Sequence, residues 1–209
     1  MSTDADVMAT IKKINTHGYG NRASDRAPLK ALVKKVKKKF WDSEYGEKDA
    51  TGLSLAQAVA NNINEMGVSA FVYWQPFDGG GWGLINSAPG NMTIDTANPK
   101  YYALAQYSRH IRPGMTILST DDLNTVMAYD TKSKLLVLTT VNAGDAVSKV
   151  TYDLASFKAV AGPASAWTTE TSGKGALYKS STVKLSSSTF SASIPAASVM
   201  TFEIEGVAM

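Results

Sequence analysis

The sequence predicts a mixed architecture, α/β in its first half and all-β in its second. Three observations predict it. In the first half, short and nearly continuous apolar runs alternate three times with stretches whose apolar residues recur at helical spacing, the pattern of a parallel sheet covered by helices. Chemically loaded side chains, His17, Tyr19, Glu44, Trp74 and Gln75, fall at or just past the ends of those runs, which is the rim where α/β barrels build their sites. Beyond Arg112-Pro113-Gly114 the apolar period changes from helical to two.

Taken in order, residues 10–17 predict a first strand, broken by Gly18-Tyr19-Gly20-Asn21. Pro28 marks a helix start, and Leu29, Leu32, Val33 and Val36 follow at i, i+3, i+4 and i+7. Phe40-Trp41-Asp42-Ser43-Glu44-Tyr45-Gly46 opens as a second strand and ends in the polar loop Gly46-Glu47-Lys48-Asp49. Ser54 is a good N-cap for a second helix, which puts Ala56, Val59, Ala60, Ile63 and Met66 on one face and stops at Gly67. Residues 69–75 predict a third, strongly apolar strand. A long loop containing Gly79-Gly80-Gly81-Trp82-Gly83 follows, and Asn98-Pro99 caps a third helix over residues 100–111, where His110 reads as structural.

In the second half, residues 150–154, 190–194 and 200–204 alternate in and out, and residues 135–141 read as a more buried strand. The turns Asn142-Ala143-Gly144-Asp145 and Ser172-Gly173-Lys174-Gly175 separate strands. The serine-rich residues 180–188 read as a surface loop or an edge strand. Together these predict a β-sandwich over residues 113–209, after an α/β part over residues 1–112.

Composition removes several functions. The chain has 209 residues and a net charge of +3, with 44% apolar and 19% charged residues, as in ordinary globular proteins. Its basic cluster, Lys34, Lys35, Lys37, Lys38 and Lys39, alternates with apolar residues at helical spacing and has no interleaved aromatics. It reads as a solvated helix face, and no nucleic-acid partner is predicted. There are no cysteines, hence no disulfides and no thiolate chemistry. Two histidines far apart predict no metal site, and nothing suggests another cofactor. No apolar run is long enough to span a membrane, and no signal peptide precedes Asp4. Asn91-Met92-Thr93 fits the N-glycosylation pattern.

The second strand carries the chemistry. A carboxylate between Trp41 and Tyr45, where a strand becomes a loop, suits sugar work, because aromatic faces stack on pyranose rings while the carboxylate attacks the anomeric carbon. His17-Gly18-Tyr19, Trp41-Asp42-Ser43-Glu44-Tyr45-Gly46, Tyr73-Trp74-Gln75 and Trp82-Gly83-Leu84-Ile85 occur in that order. Tyr101-Tyr102 and Ser108-Arg109-His110-Ile111-Arg112-Pro113-Gly114 follow. In this combination the chain resembles the C-terminal part of glycoside hydrolase family 30, and within it the fungal endo-β-1,6-galactanases.

The resemblance covers nearly the whole chain. It implies the last three strand–helix units of a (β/α)8 TIM-type barrel, followed by a β-sandwich entered at Arg112-Pro113-Gly114. It makes Glu44 the catalytic nucleophile and Tyr19 the residue that orients it. His17 lines the rim, Trp74 floors the subsite of the attached sugar, and Gln75 and Trp82 are further sugar contacts. The implied substrate and partner is a β-1,6-galactan-type polysaccharide, and the implied location is extracellular.

A retaining glycosidase needs a second carboxyl group about 5–5.5 Å from the first. In the resembling family this acid/base follows an Asn on an earlier strand, and this chain lacks the first five barrel strands. The Asn64-Glu65 pair falls inside the second predicted helix, with Glu65 off the apolar stripe and solvated. Asp42, by even spacing, faces the same side as Glu44 and supports packing or loop hydrogen bonds; the resemblance gives Asp78 no acid role. The expectation is a glycoside hydrolase fragment that is inactive alone. The alternatives are a non-catalytic carbohydrate-binding or structural module, and a related enzyme for β-1,6-glucan or glucuronoxylan.

Overall fold

The computed structural model describes residues 4–20, 22–88, 93–160, 163–172, 175–185 and 188–209. Asn21, Asn91 and Met92 of the sequon, Gly173 and Lys174 of a predicted turn, and Ser186 and Ser187 lie outside the described residues.

A short helix, α1 (Ala5–Thr10), opens the chain where no element was expected. Its first N–H groups are capped by the Asp4 carboxylate, which accepts from Asp6 N at 2.8 Å and Val7 N at 3.1 Å. The first strand, β1 (Lys13–His17), is shorter than predicted because that cap draws Thr10 into the helix. It joins β2 (Lys39–Tyr45) and β3 (Ala70–Tyr73) in a parallel sheet of order β1-β2-β3.

The connecting helices depart from their predicted starts. Helix α2 (Ala23–Val36) begins well before Pro28, which sits inside it and forgoes one backbone bond. The packing of Leu29 and Val33 against Phe40, Met66 and Val68 holds the helix through that gap. Helix α3 (Leu53–Asn61) starts behind Gly52, not at a Ser54 cap. Asp49 does the capping instead, its carboxylate accepting from Thr51 N at 2.9 Å and Ser54 N at 3.2 Å. The predicted face is buried at Ala56, Val59, Ala60 and Met66. The helix ends in a π-helical turn (Asn62–Met66) closed by Gly67 at φ 70°. Glu65 in that turn is half-buried rather than freely solvated; it pairs with Arg26 of α2 at 2.9 Å, on the helical side of the sheet.

The predicted long loop holds a second small sheet, β4 (Phe77–Asp78), β5 (Ile85–Ala88) and β6 (Thr93–Ala97), whose pieces are too short to give a period in the sequence. Asn98 and Pro99 occupy the cap and first positions of α4 (Pro99–Ser108), which ends before the predicted residue 111. The Asn98 amide donates away from the helix, to the Gly83 carbonyl at 2.8 Å, and ties α4 to the loop.

Past α4 every element among the described residues is a strand. These are β7 (Thr116–Leu118), β8 (Thr125–Asp130), β9 (Leu135–Asn142), β10 (Ser148–Asp153), β11 (Ala164–Glu170), β12 (Lys179–Val183), β13 (Thr189–Ile194) and β14 (Ser198–Ile204). An antiparallel sheet of order β12-β11-β14-β9-β8-β7 faces the pair β10-β13. Leu136, Leu138, Ala164, Ala166, Phe202 and Ile204 meet Tyr152, Phe190, Ala192 and Ile194 in one core. The other face of the large sheet, through Val126, Val141 and Val199, packs on Leu55, Ala56, Val59, Ala60, Ala103 and Tyr107 of α3 and α4. The serine-rich stretch supplies the edge strand β12. No helix among the described residues is long and apolar enough to cross a membrane.

Candidate active site

The C-terminal ends of β1, β2 and β3 bring the predicted rim residues together. The β1–β2 register runs Thr16 with Asp42 and then His17 with Glu44, so Ser43 is skipped in a bulge. The Ser43 hydroxyl pins that bulge, donating to the Thr16 carbonyl at 3.2 Å and accepting from Asn15 Nδ2 at 3.0 Å. Past it the Glu44 carbonyl accepts from Gly18 N at 2.8 Å, and the Tyr45 carbonyl from Trp74 N at 2.7 Å. The three strand ends are thereby held side by side.

The bulge overturns the even-spacing expectation for Asp42. One skipped residue breaks the alternation, so Asp42 and Glu44 have different surroundings. Asp42 is fully buried, whereas the Glu44 side chain is 29% exposed. Asp42 lies under Gly18, where an added Cβ would fall 2.2 Å from its carboxylate. Neither carboxylate oxygen has a hydrogen-bond partner of good geometry. Burial pushes its pKa up to about 6; the nearby Glu44 and Gly18 backbone N–H groups and His17 offset only part of that.

Glu44 is held by its neighbours. The Tyr19 phenol donates to Glu44 Oε1 at 3.1 Å, and His17 Nδ1 lies 3.6 Å from the same oxygen. Tyr19 stacks on Tyr45 with ring centroids 6.3 Å apart, and Tyr45 packs on Phe71 at 5.6 Å. Partial desolvation, and then the Glu44 carboxylate, raise the Tyr19 pKa, so the phenol stays a neutral donor at neutral pH.

The aromatic residues close in around Gly46, two residues past Glu44. A Cβ there would fall 2.4 Å from the Trp74 carbonyl oxygen, 3.2 Å from the Trp82 ring and 3.3 Å from the Tyr19 phenol oxygen. Only a glycine admits this approach. Trp74, just past β3, is 47% exposed and joined to Gln75 by a cis peptide bond. The Gln75 amide turns to Asp78 Oδ2 at 3.1 Å, and Asp78 also accepts from Gly79 N at 2.7 Å.

Lys100 escaped sequence reasoning, and Tyr73, read only as part of the Tyr73-Trp74-Gln75 motif, has no role of its own there. Lys100 is fully buried, with its ammonium among the loops that bear Glu47 and Trp82. A signal for it existed: a cation in the first turn of a helix opposes the helix dipole, so it needs another reason to be there. Among the described residues no cluster of three or more His, Asp or Glu could hold a metal ion.

The arrangement therefore offers one oriented, solvent-accessible carboxylate beside aromatic faces. No family model matches the chain. A curated relative, an endo-β-1,6-galactanase from Hypocrea rufa, is 41% identical over 203 residues, covering 95% of this chain and 42% of its own length. The chain thus spans less than half of that relative. Among solved structures, a GH30 endoxylanase from Clostridium papyrosolvens C71 superposes with a TM-score of 0.79 at 20% identity, over 98% of this chain and 51% of that one. A glycoside hydrolase family 30 subfamily 8 xylanase from Clostridium acetobutylicum gives 0.79 at 22%, over 97% and 51%. The catalytic domain of a GH30 xylanase from Talaromyces cellulolyticus gives 0.69 at 20%, over 96% and 47%. The chain is similar along nearly all its length to part of an endo-β-1,6-galactanase, and it has the fold of about half of a glycoside hydrolase family 30 enzyme.

Proposed function

We propose that this chain carries the nucleophile half of a retaining glycoside hydrolase site for β-1,6-galactan-type polysaccharides. Glu44 is the nucleophile, Tyr19 orients it, and Trp74 and Trp82 offer faces for sugar rings, with His17 and Gln75 beside them. The observation that carries this reading is the Glu44 carboxylate itself, exposed at the end of a parallel strand, bonded to a neutral phenol at 3.1 Å and flanked by aromatic residues. The galactanase relative supports the substrate class. In this reading residues 1–112 are the end of a (β/α)8 barrel and residues 113–209 a β-sandwich domain.

The acid/base does not come from this chain. Asp42 is sealed from any glycosidic oxygen, Asp78 is engaged by Gln75 and Gly79, and Glu65 is paired with Arg26 on the helical side. General acid help is worth about 10²–10⁴ in rate, so the chain alone should release almost no reducing sugar from galactan. An activated glycoside needs no such help, because dinitrophenolate leaves unprotonated.

The test is a dinitrophenyl β-galactoside offered to the 209-residue chain, with added azide to accept the sugar. Dinitrophenolate release that azide accelerates is expected from the chain, and its loss is expected from Glu44→Ala in azide-free buffer, because azide itself can displace dinitrophenolate in the cavity that the alanine leaves. Equal release by Glu44→Ala without azide would remove Glu44 from the nucleophile role. Sugar binding without any release would favour the carbohydrate-binding alternative, for which the exposed Trp74 is the supporting feature.

A further inference from the structure

A buried lysine with a full set of acceptors sits beside the site and has no part in the chemistry. Lys100, in the first turn of α4, is 0% exposed. Its ammonium donates to the Glu47 carbonyl at 2.7 Å, the Gly81 carbonyl at 2.7 Å and the Tyr73 phenol oxygen at 2.8 Å. It also pairs with the Glu47 carboxylate at 3.0 Å. The Tyr73 phenol passes the linkage on, donating to the Trp82 carbonyl at 2.6 Å. One ammonium thus joins the loop after β2, the end of β3 and the loop that carries Trp82.

The backbone is shaped for this junction. Gly52 has φ 85°, and a Cβ on it would meet Lys100 Cα at 2.3 Å. Gly81 has φ 83°, and a Cβ there would meet the Lys48 carbonyl at 2.5 Å. Both positions exclude a side chain where the two loops close over the lysine. An unpaired buried ammonium would be costly, and every proton of this one has an acceptor. Two of the acceptors are backbone carbonyls, one on each loop, so the ammonium ties the loops to each other and does not merely balance charge.

We propose that Lys100 is a positioning residue for the sugar platform, acting through Tyr73 and Gly81 to hold Trp82 against Gly46 and beside Glu44. The sugar part of this inference rests on the reading of Trp82 as a substrate contact; the loop part stands without it. Substrate orientation is sensitive to such support, since displacements of about 1 Å at a binding surface cost on the order of a hundredfold in rate.

The test uses the 209-residue chain with Lys100→Met and Tyr73→Phe, read by amide hydrogen exchange, the Trp82 indole NMR signal and titration with a β-1,6-galacto-oligosaccharide. Lys100→Met should raise exchange at residues 46–52 and 79–83 by about tenfold relative to β1, shift the Trp82 signal, and weaken oligosaccharide binding about tenfold. Tyr73→Phe should do the same to a smaller extent at residues 79–83, and it decides the matter if Lys100→Met does not fold. Unchanged loop exchange would overturn the proposal. So would loosening spread evenly over the sheet, which a merely structural role predicts, or loosened loops with full affinity. If the unmodified chain binds no sugar, the sugar-site reading falls, and loop exchange alone then decides whether Lys100 positions Trp82.

Discussion

Glu44 and Asp42 are two residues apart, yet one faces solvent and the other is sealed. The bulge at Ser43 separates them, and nothing in the sequence marks that bulge, because Ser is at home in strand, turn and loop alike. For Glu44 the relevant neighbour is Tyr19. A hydrogen bond to a charged acceptor is worth roughly 1.5–3 kcal/mol, so Tyr19→Phe should slow glycosylation of Glu44 about tenfold to a hundredfold, measured as the rate of dinitrophenolate release. Asp42 gives a separate prediction. Its folded pKa lies above the unfolded value, so folding binds a proton and stability is highest below the unfolded pKa of 3.8. That stability is lost as pH rises through about 6. Asp42→Asn has no such titration. Thermal melts from pH 4 to 8 should show the wild type losing about 1–3 kcal/mol relative to the variant as pH rises; parallel melting curves would contradict the burial of Asp42.

At the scale of elements, what was legible was what burial dictates. The apolar stripe of α3 and the alternation of β10 and β13 appear where the sequence places them, because each buries one face, whereas β14, expected to alternate, is buried on both faces between the core and helices α3 and α4. What was not legible depended on contacts far along the chain. Pro28 reads locally as a helix start, yet packing on Phe40 and Met66 carries the helix through it. Ser54 reads locally as a cap, yet Asp49 reaches its N–H from five residues before. The strands β4 to β6 are too short to declare a period, and Glu65 looked solvated because its partner lies on another helix. Gly52 tests how tightly the starts of α3 and α4 meet. Gly52→Ala imposes a side chain at φ 85° and a clash with Lys100 Cα, so it should cost about 2 kcal/mol or more. A denaturant melt should show this as an earlier midpoint, and an unchanged midpoint would mean that the approach is looser than described.

At the scale of the whole molecule, the β-rich half is well furnished and the parallel sheet is not. The large antiparallel sheet has a core on one face and helices α3 and α4 on the other. The parallel sheet has three strands, and among the described residues the outer edges of β1 and β3 have no strand partner. Unpaired parallel edges invite pairing with other chains. The isolated chain should therefore associate as its concentration rises, read by light scattering behind a sizing column; a monomer at every concentration would show that the edges are protected.

The rim at the ends of this sheet was legible in the sequence because its residues are chemically distinctive and sit at strand ends. Lys100 beneath it was not, since a lysine in a helix is ordinarily at the surface. The central claim is that Glu44 is the carboxylate that bonds to sugar. The most direct measurement is to treat the 209-residue chain with dinitrophenyl 2-deoxy-2-fluoro-β-galactoside, whose fluorine slows loss of the sugar, and to map the modified peptide by mass spectrometry. One fluorogalactosyl group on Glu44, absent from Glu44→Gln, is the predicted result. A label on any other carboxylate, or none while the sugar demonstrably binds, would contradict it.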